Sequence, residues 1–177
     1  MFTARMCMTL FTLMIEVDRL GYNLIEVNHL ISFVTSLEMD MEVVVLPDAQ
    51  AIAERAADAI EAVLVAKPNA VLGTATGSRP LPLYDELVRR NQAGKLSFKD
   101  VTGYMLDEYV GLPVDHYERY ANFMERNLRS RTDMAPGALH GPDALNPDPQ
   151  AACDDYERAL AEAGYADVQI LGIGSDG

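Results

Sequence analysis

From residue 41 onward, short apolar β-type runs alternate with longer stretches whose apolar residues recur at helical spacing. That alternation restricts the fold more than any other feature of the chain. MEVVVLP, residues 41–47, is rich in β-branched residues and reads as a strand stopped by Pro47. Asp48 stands as an N-cap before AQAIAERAADAIEAVLVA, where Ile52, Ala56, Ala59, Ile60 and Val63 recur at helical spacing, and Pro68 closes the segment. AVLG, residues 70–73, reads as a short buried strand, residues 81–90 as a helix, and KDVTGYML, residues 99–106, as another strand. Residues 117–128 and 150–163 read as helices, and residues 167–173 as a strand that runs into Gly-Ser-Asp-Gly. Strands alternating with helices predict an α/β fold, an open sandwich built on a mainly parallel sheet. Without internal repeats, low-complexity tracts or linkers, residues 41–177 read as one domain.

Composition excludes several functions. Fourteen Lys and Arg against 27 Asp and Glu leave a net charge of −13, a field that repels nucleic-acid backbones. An anionic substrate must then be held by local groups. Cys7 and Cys153 are too few for a disulfide framework and have no metal-ligand spacing, which suits a reducing, cytoplasmic compartment. Residues 1–40 form an atypical N-terminal extension, rich in Met, Leu, Phe and Thr and without Pro. Its longest apolar stretch, residues 6–15, falls short of the roughly 20 residues needed to span a bilayer, so no membrane span is expected. The extension reads as an oligomer or membrane contact, a disordered tail, or an upstream stretch translated from the wrong start. No function is assigned to it.

In open α/β sheets ligands collect beyond the carboxyl ends of the strands. Three loops occupy such ends: TATGSRP, DEYVGLP and the terminal GSDG. In the first, Gly77 allows a positive φ and close approach of an anion to the backbone. Thr76 and Ser78 add hydroxyls, and the helix near Leu81 points its positive end at the same place. The combination suits a phosphate monoester, though a plain strand-to-helix turn fits the local sequence slightly better. Arg79 reads as either a phosphate ligand or a solvated cation. In the second loop, Asp107 and Glu108 place adjacent carboxylates at the mouth of a buried strand. Partial desolvation there raises proton affinity and suits a general base. Successive strand residues face opposite ways, so one of the two enters the site and the other reads as a turn or helix cap. In the third loop, Gly172 and Gly174 permit close backbone approach, and Asp176 reads as a second acid or base or as part of an ordinary turn.

TATGSRPLPLY, FKDVTGYMLDEYVGLP and LGIGSDG, in this order and at these separations, resemble the glucosamine-6-phosphate deaminase family. The resemblance covers residues 41–177, and DEYVGLP is its specific part. It implies a Rossmann-like three-layer α/β/α fold, incomplete at the C-terminus. It also implies conversion of glucosamine 6-phosphate to fructose 6-phosphate and ammonium, with no metal and no organic cofactor. By resemblance Asp107 is the enolisation base, and Asp176 serves the ring-opening step. Thr76, Gly77 and Ser78 form the phosphate loop, and Gly174 belongs to the last substrate-binding turn. Relatives usually carry Thr or Ser where Arg79 stands, and Ser where Arg119 stands. The family motif continues past Gly177 with a ring-opening His, so this chain alone is expected to show little or no deaminase activity. Homo-oligomerisation stays open. Two further readings remain: a 6-phosphogluconolactonase-like hydrolase, in which Asp-Glu-Arg usually replaces Asp107-Glu108-Tyr109, and a non-catalytic sugar-phosphate-binding module.

Overall fold

The computed structural model describes the backbone of residues 12–15 and the whole of residues 42–173. Among the described residues, ten elements follow one another. They are β1 (Thr12–Ile15), α1 (Ala49–Ala66), β2 (Val71–Thr74), α2 (Leu81–Gln92), β3 (Thr102–Met105), α3 (Tyr120–Asn127), a 3₁₀ turn (Arg129–Arg131), β4 (Leu139–His140), α4 (Pro149–Glu162) and β5 (Val168–Gly172). The strands form one sheet in the order β1-β5-β2-β3-β4. Every pairing is parallel, with Val71 opposite Thr102 and Leu72 opposite Val168. The sheet is therefore wholly parallel among the described residues.

Side-chain alternation divides the molecule into layers. Leu72, Met105, Val168 and Ile170 point into one core with Ala56, Ala57, Ile60 and Leu64 of α1, Leu83, Tyr84 and Leu87 of α2, and Met124 of α3. Tyr104 faces the other way, where its hydroxyl donates to Ala159 O of α4 at 3.2 Å. Helices thus cover both faces, giving the three-layer α/β/α arrangement. Gly73 lies against Gln169 across the ladder. A Cβ at Gly73 would fall 1.9 Å from Gln169 Oε1, so a larger residue here would have to displace the Gln169 side chain.

Local signals explain the helices. Asp48 caps α1 by accepting from Ala51 N at 2.8 Å, and the stripe Ala53, Ala56, Ala57, Ile60, Leu64 is the buried face. Asp148 caps α4 in the same way. Arg90 ties α1 to α2: its guanidinium meets Glu86 and Glu61 at 2.7 Å and Asp58 at 2.8 Å, with the Glu86 side chain only 1% exposed.

Three expectations need correction. Residues 42–47 carry no strand. Val43 and Val45 are 54% and 83% exposed, and β-branched residues make a ladder only where an edge is there to pair with. Conversely, residues 12–15 of the extension add a strand alongside β5, with Thr12 opposite Gln169. The third expected strand is shorter than its apolar run, since residues 99–101 turn before the ladder starts at Thr102. No helix among the described residues is long and apolar enough to cross a membrane.

Candidate active site at the carboxyl edge of the sheet

Parallel pairing brings the carboxyl ends of β2, β3 and β5 to one edge, and the loops after them carry the candidate chemistry. The loop after β2 is anchored before it opens. Thr74, buried at the strand end, donates its hydroxyl to Tyr104 O at 3.3 Å. The next residue, Ala75, is held at both backbone groups by one phenol: Tyr84 Oη accepts from Ala75 N at 3.1 Å and donates to Ala75 O at 2.6 Å. Tyr84 is fully buried, and burial first of all pushes its phenol pKa up.

Past this anchor the loop turns outward. Thr76 and Arg79 are half-buried, and Gly77 and Ser78 are exposed. Gly77 has a φ of +95°, and a Cβ there would meet nothing within 4 Å. The glycine is required for conformation, and the space beside it is open. α2 begins at Leu81 behind Pro80, which makes no side-chain cap bond. Leu81 N–H is directed back to Ser78 O at 3.4 Å, and Pro80 and Pro82 have no N–H. The donors offered to an anion therefore come from the loop itself more than from the helix end.

Arg79 lies beside the end of β5, where a Cβ on Gly172 would stand 3.6 Å from its own Cβ. The first loop thus neighbours the carboxyl end of β5. Gly174 and Asp176 lie outside the described residues.

The loop after β3 separates its two carboxylates. Asp107 is exposed at the mouth. Burial, and then the charge of Glu108, raises its pKa above the ordinary aspartate value, which strengthens it as a proton acceptor. Glu108 turns inward, its side chain 1% exposed. Its carboxylate accepts from Tyr109 N and Tyr120 N at 2.9 Å and from Ala121 N at 3.0 Å, and it pairs with Arg119 Nε at 3.4 Å. Burial works against its ionisation, but the bonds from Ala121, Tyr120 and Tyr109 and the Arg119 charge outweigh it and hold the pKa below the ordinary range.

Tyr120, the first residue of α3, joins the two loops. Its ring lies 4.7 Å from that of Tyr109. Hydrogen bonding with Tyr109, then burial, then the Asp107 charge push its phenol up to about 12, while the Thr76 hydroxyl acts in the opposite sense. On the far side, Tyr156 of α4 donates its hydroxyl to Met105 O, and burial above all, with Asp107 among the lesser causes, raises that phenol to about 12. The Asp107 charge thus acts on both phenols, and Asp107 follows β3 at the same sheet edge as Thr76 and Gly77. Tyr84, Tyr120 and Tyr156 were not singled out from the sequence, because each acts on a residue distant along the chain. Among the described residues no three His, Cys, Asp or Glu side chains group as metal ligands.

The sequence pattern of the glucosamine-6-phosphate isomerases and 6-phosphogluconolactonases matches residues 48–177. The chain belongs to this family. Among its relatives, the glucosamine-6-phosphate deaminase of Mycolicibacterium smegmatis is 57% identical over 137 residues, which are 77% of this chain and 52% of that protein. The Beutenbergia cavernae deaminase is 53% identical over the same shares of each chain. The chain thus spans about half the length of the curated relatives it matches. Of the solved structures, a monomeric glucosamine-6-phosphate deaminase superposes with a TM-score of 0.73 at 34% identity, covering 76% of this chain and 56% of that one. A 6-phosphogluconolactonase from Thermotoga maritima gives 0.61 at 26% identity, covering 73% and 58%. The family fold is therefore shared by deaminases and lactonases, whereas the relatives at more than 50% identity are deaminases.

Proposed function

We propose that this family member carries the phosphate-holding and proton-transfer part of a glucosamine-6-phosphate deaminase site. The supporting observation is the placement of a raised-pKa carboxyl, Asp107, on the same sheet edge as the open Gly77 turn, with Tyr120 touching both loops. The phosphate rests on the hydroxyls of Thr76 and Ser78 and the amides about Gly77, with Arg79 as a further cation for it. Gly174 and Asp176 complete the site from the third loop, Asp176 serving ring opening.

In the open-chain sugar, the Asp107 carboxylate takes the proton from the carbon bearing the amine. The C–H electron pair moves between that carbon and the neighbouring carbonyl carbon, whose oxygen gains a proton, giving an enediol-type intermediate. Asp107 then returns its proton to the former carbonyl carbon on the same face. The imine left on the other carbon takes up water and releases ammonia. A phenol that stays protonated, as Tyr120 does, can donate to an oxygen on which charge develops. The sequence DEYVGLP, with Tyr109 in place of the lactonase Arg, supports the deaminase over the lactonase. The exposed Cys153 thiol suits the reducing, cytoplasmic compartment that belongs to this reading.

Deuterium wash-in tests the proton transfer directly. In D₂O the chain is expected to exchange the hydrogen on the amine-bearing carbon of glucosamine 6-phosphate, and Asp107→Asn should slow this by about a hundredfold or more. Exchange no faster than in buffer, or equal exchange in the variant, would count against the assignment.

A further inference from the structure

The loop that holds Asp107 has no regular structure between β3 and α3, yet it contains the most heavily bonded carboxylate at this edge. Glu108 contributes nothing to an open pocket, since its side chain is 1% exposed. Both its oxygens are engaged: Oε1 accepts from Tyr109 N and Tyr120 N, and Oε2 from Ala121 N, with Arg119 Nε at 3.4 Å. α3 has no cap of its own, because Arg119 at the N-cap position makes no side-chain cap bond. Glu108, twelve residues upstream of Tyr120, supplies that cap from outside the helix. The remainder of the connection is closed by short bonds: Asn122 Nδ2 donates to Val114 O and His116 O at 2.8 Å, and Arg119 N to His116 O at 3.2 Å.

We propose that Glu108 is a positioning residue for Asp107. By fastening the turn after β3 to the first turn of α3, it holds the Asp107 carboxyl at the mouth and sets Tyr120 beside it. This rests on the reading of Asp107 as the base. It explains why two adjacent carboxylates have opposite environments: the inward one is spent on backbone amides so that the outward one faces the opening.

The test uses the full chain and NMR, with Glu108→Asp as the main variant. It keeps the charge but shortens the reach by one methylene, so that three amides cannot all be bridged. Amide-exchange protection at Tyr120 and Ala121 should fall about tenfold or more. With the turn loosened and Asp107 hydrated, its carboxyl titration midpoint should also drop toward the ordinary aspartate value. An unchanged Asp107 midpoint beside lost protection would overturn the proposal, leaving Glu108 a helix cap and nothing more. Should Glu108→Asp fail to fold, the side-chain couplings of Asp107 in Glu108→Gln decide. A single rotamer giving way to averaged couplings is the expected result, and unaltered couplings would sink it. Titrating the unmodified chain with glucosamine 6-phosphate separates the two readings: no shifts at residues 76–78 would remove the substrate while leaving the Glu108 result standing.

Discussion

Replacing Tyr84 by Phe removes one oxygen atom from the core and leaves the ring packing of α2 intact. That oxygen satisfies two backbone groups of Ala75, donating at 2.6 Å and accepting at 3.1 Å, in a region where Tyr84 is fully buried and Ala75 is 5% exposed. A buried backbone group left without its partner costs about 1–3 kcal/mol, so losing both should destabilise the fold by about 2–6 kcal/mol. For a chain of this size the urea slope is about 2 kcal/mol per M, and the unfolding midpoint should therefore fall by about 1–3 M at unchanged slope. Circular dichroism across a urea series reads this directly. Tyr104→Phe is the control, because its hydroxyl makes a single bond of 3.2 Å to Ala159 O and should cost only about 1 kcal/mol. Equal midpoints for the two variants would refute the view that Tyr84 anchors the Gly77 turn.

Acid should weaken the pairing of Glu86 with Arg89 and Arg90 within α2. Hydrogen bonds from Arg89 and then Arg90, outweighing burial, hold the Glu86 carboxyl at about 2 against an ordinary 4.5. A depressed pKa contributes stability that is present above pH 4.5 and lost as pH falls toward 2; the expected loss is about 2–3 kcal/mol in urea midpoints taken across that window, and Glu86→Gln should flatten the dependence. Gly77→Ala places a side chain at φ +95°, which should cost about 1–2 kcal/mol in thermal unfolding without a steric clash, since nothing lies within 4 Å. The same variant should weaken binding of inorganic phosphate measured by chemical shift.

Much of the architecture follows from short-range rules. The Asp48 cap and the Ala-Ile-Leu stripe of α1 are local signals, and the structure keeps them. The convergence of the carboxyl ends of β2, β3 and β5 follows from parallel pairing, which strand–helix alternation already demands. Residues 42–47 misled because β-branching reports fitness for a strand and says nothing about whether a partner edge is available. β4, two residues long, is too short to show any period. At the site, strand alternation pointed to opposite facing of Asp107 and Glu108, although β3 ends at Met105 and both lie in the loop beyond it; the target of Glu108 was not legible, since Tyr120 and Ala121 lie 12 and 13 residues away. The anchoring by Tyr84 and the contact of Tyr120 with both loops are likewise tertiary facts that no local pattern carries.

The account stands or falls on whether one hexosamine phosphate touches the Gly77 turn and Asp107 together. Residue-resolved NMR titration with glucosamine 6-phosphate, set against inorganic phosphate, measures this most directly. The sugar phosphate should shift residues 76–78 together with Asp107 and Tyr120 on one binding curve, while phosphate alone moves only the first group. Separate curves for the two loops, or a silent Asp107 at saturation, would contradict a shared site.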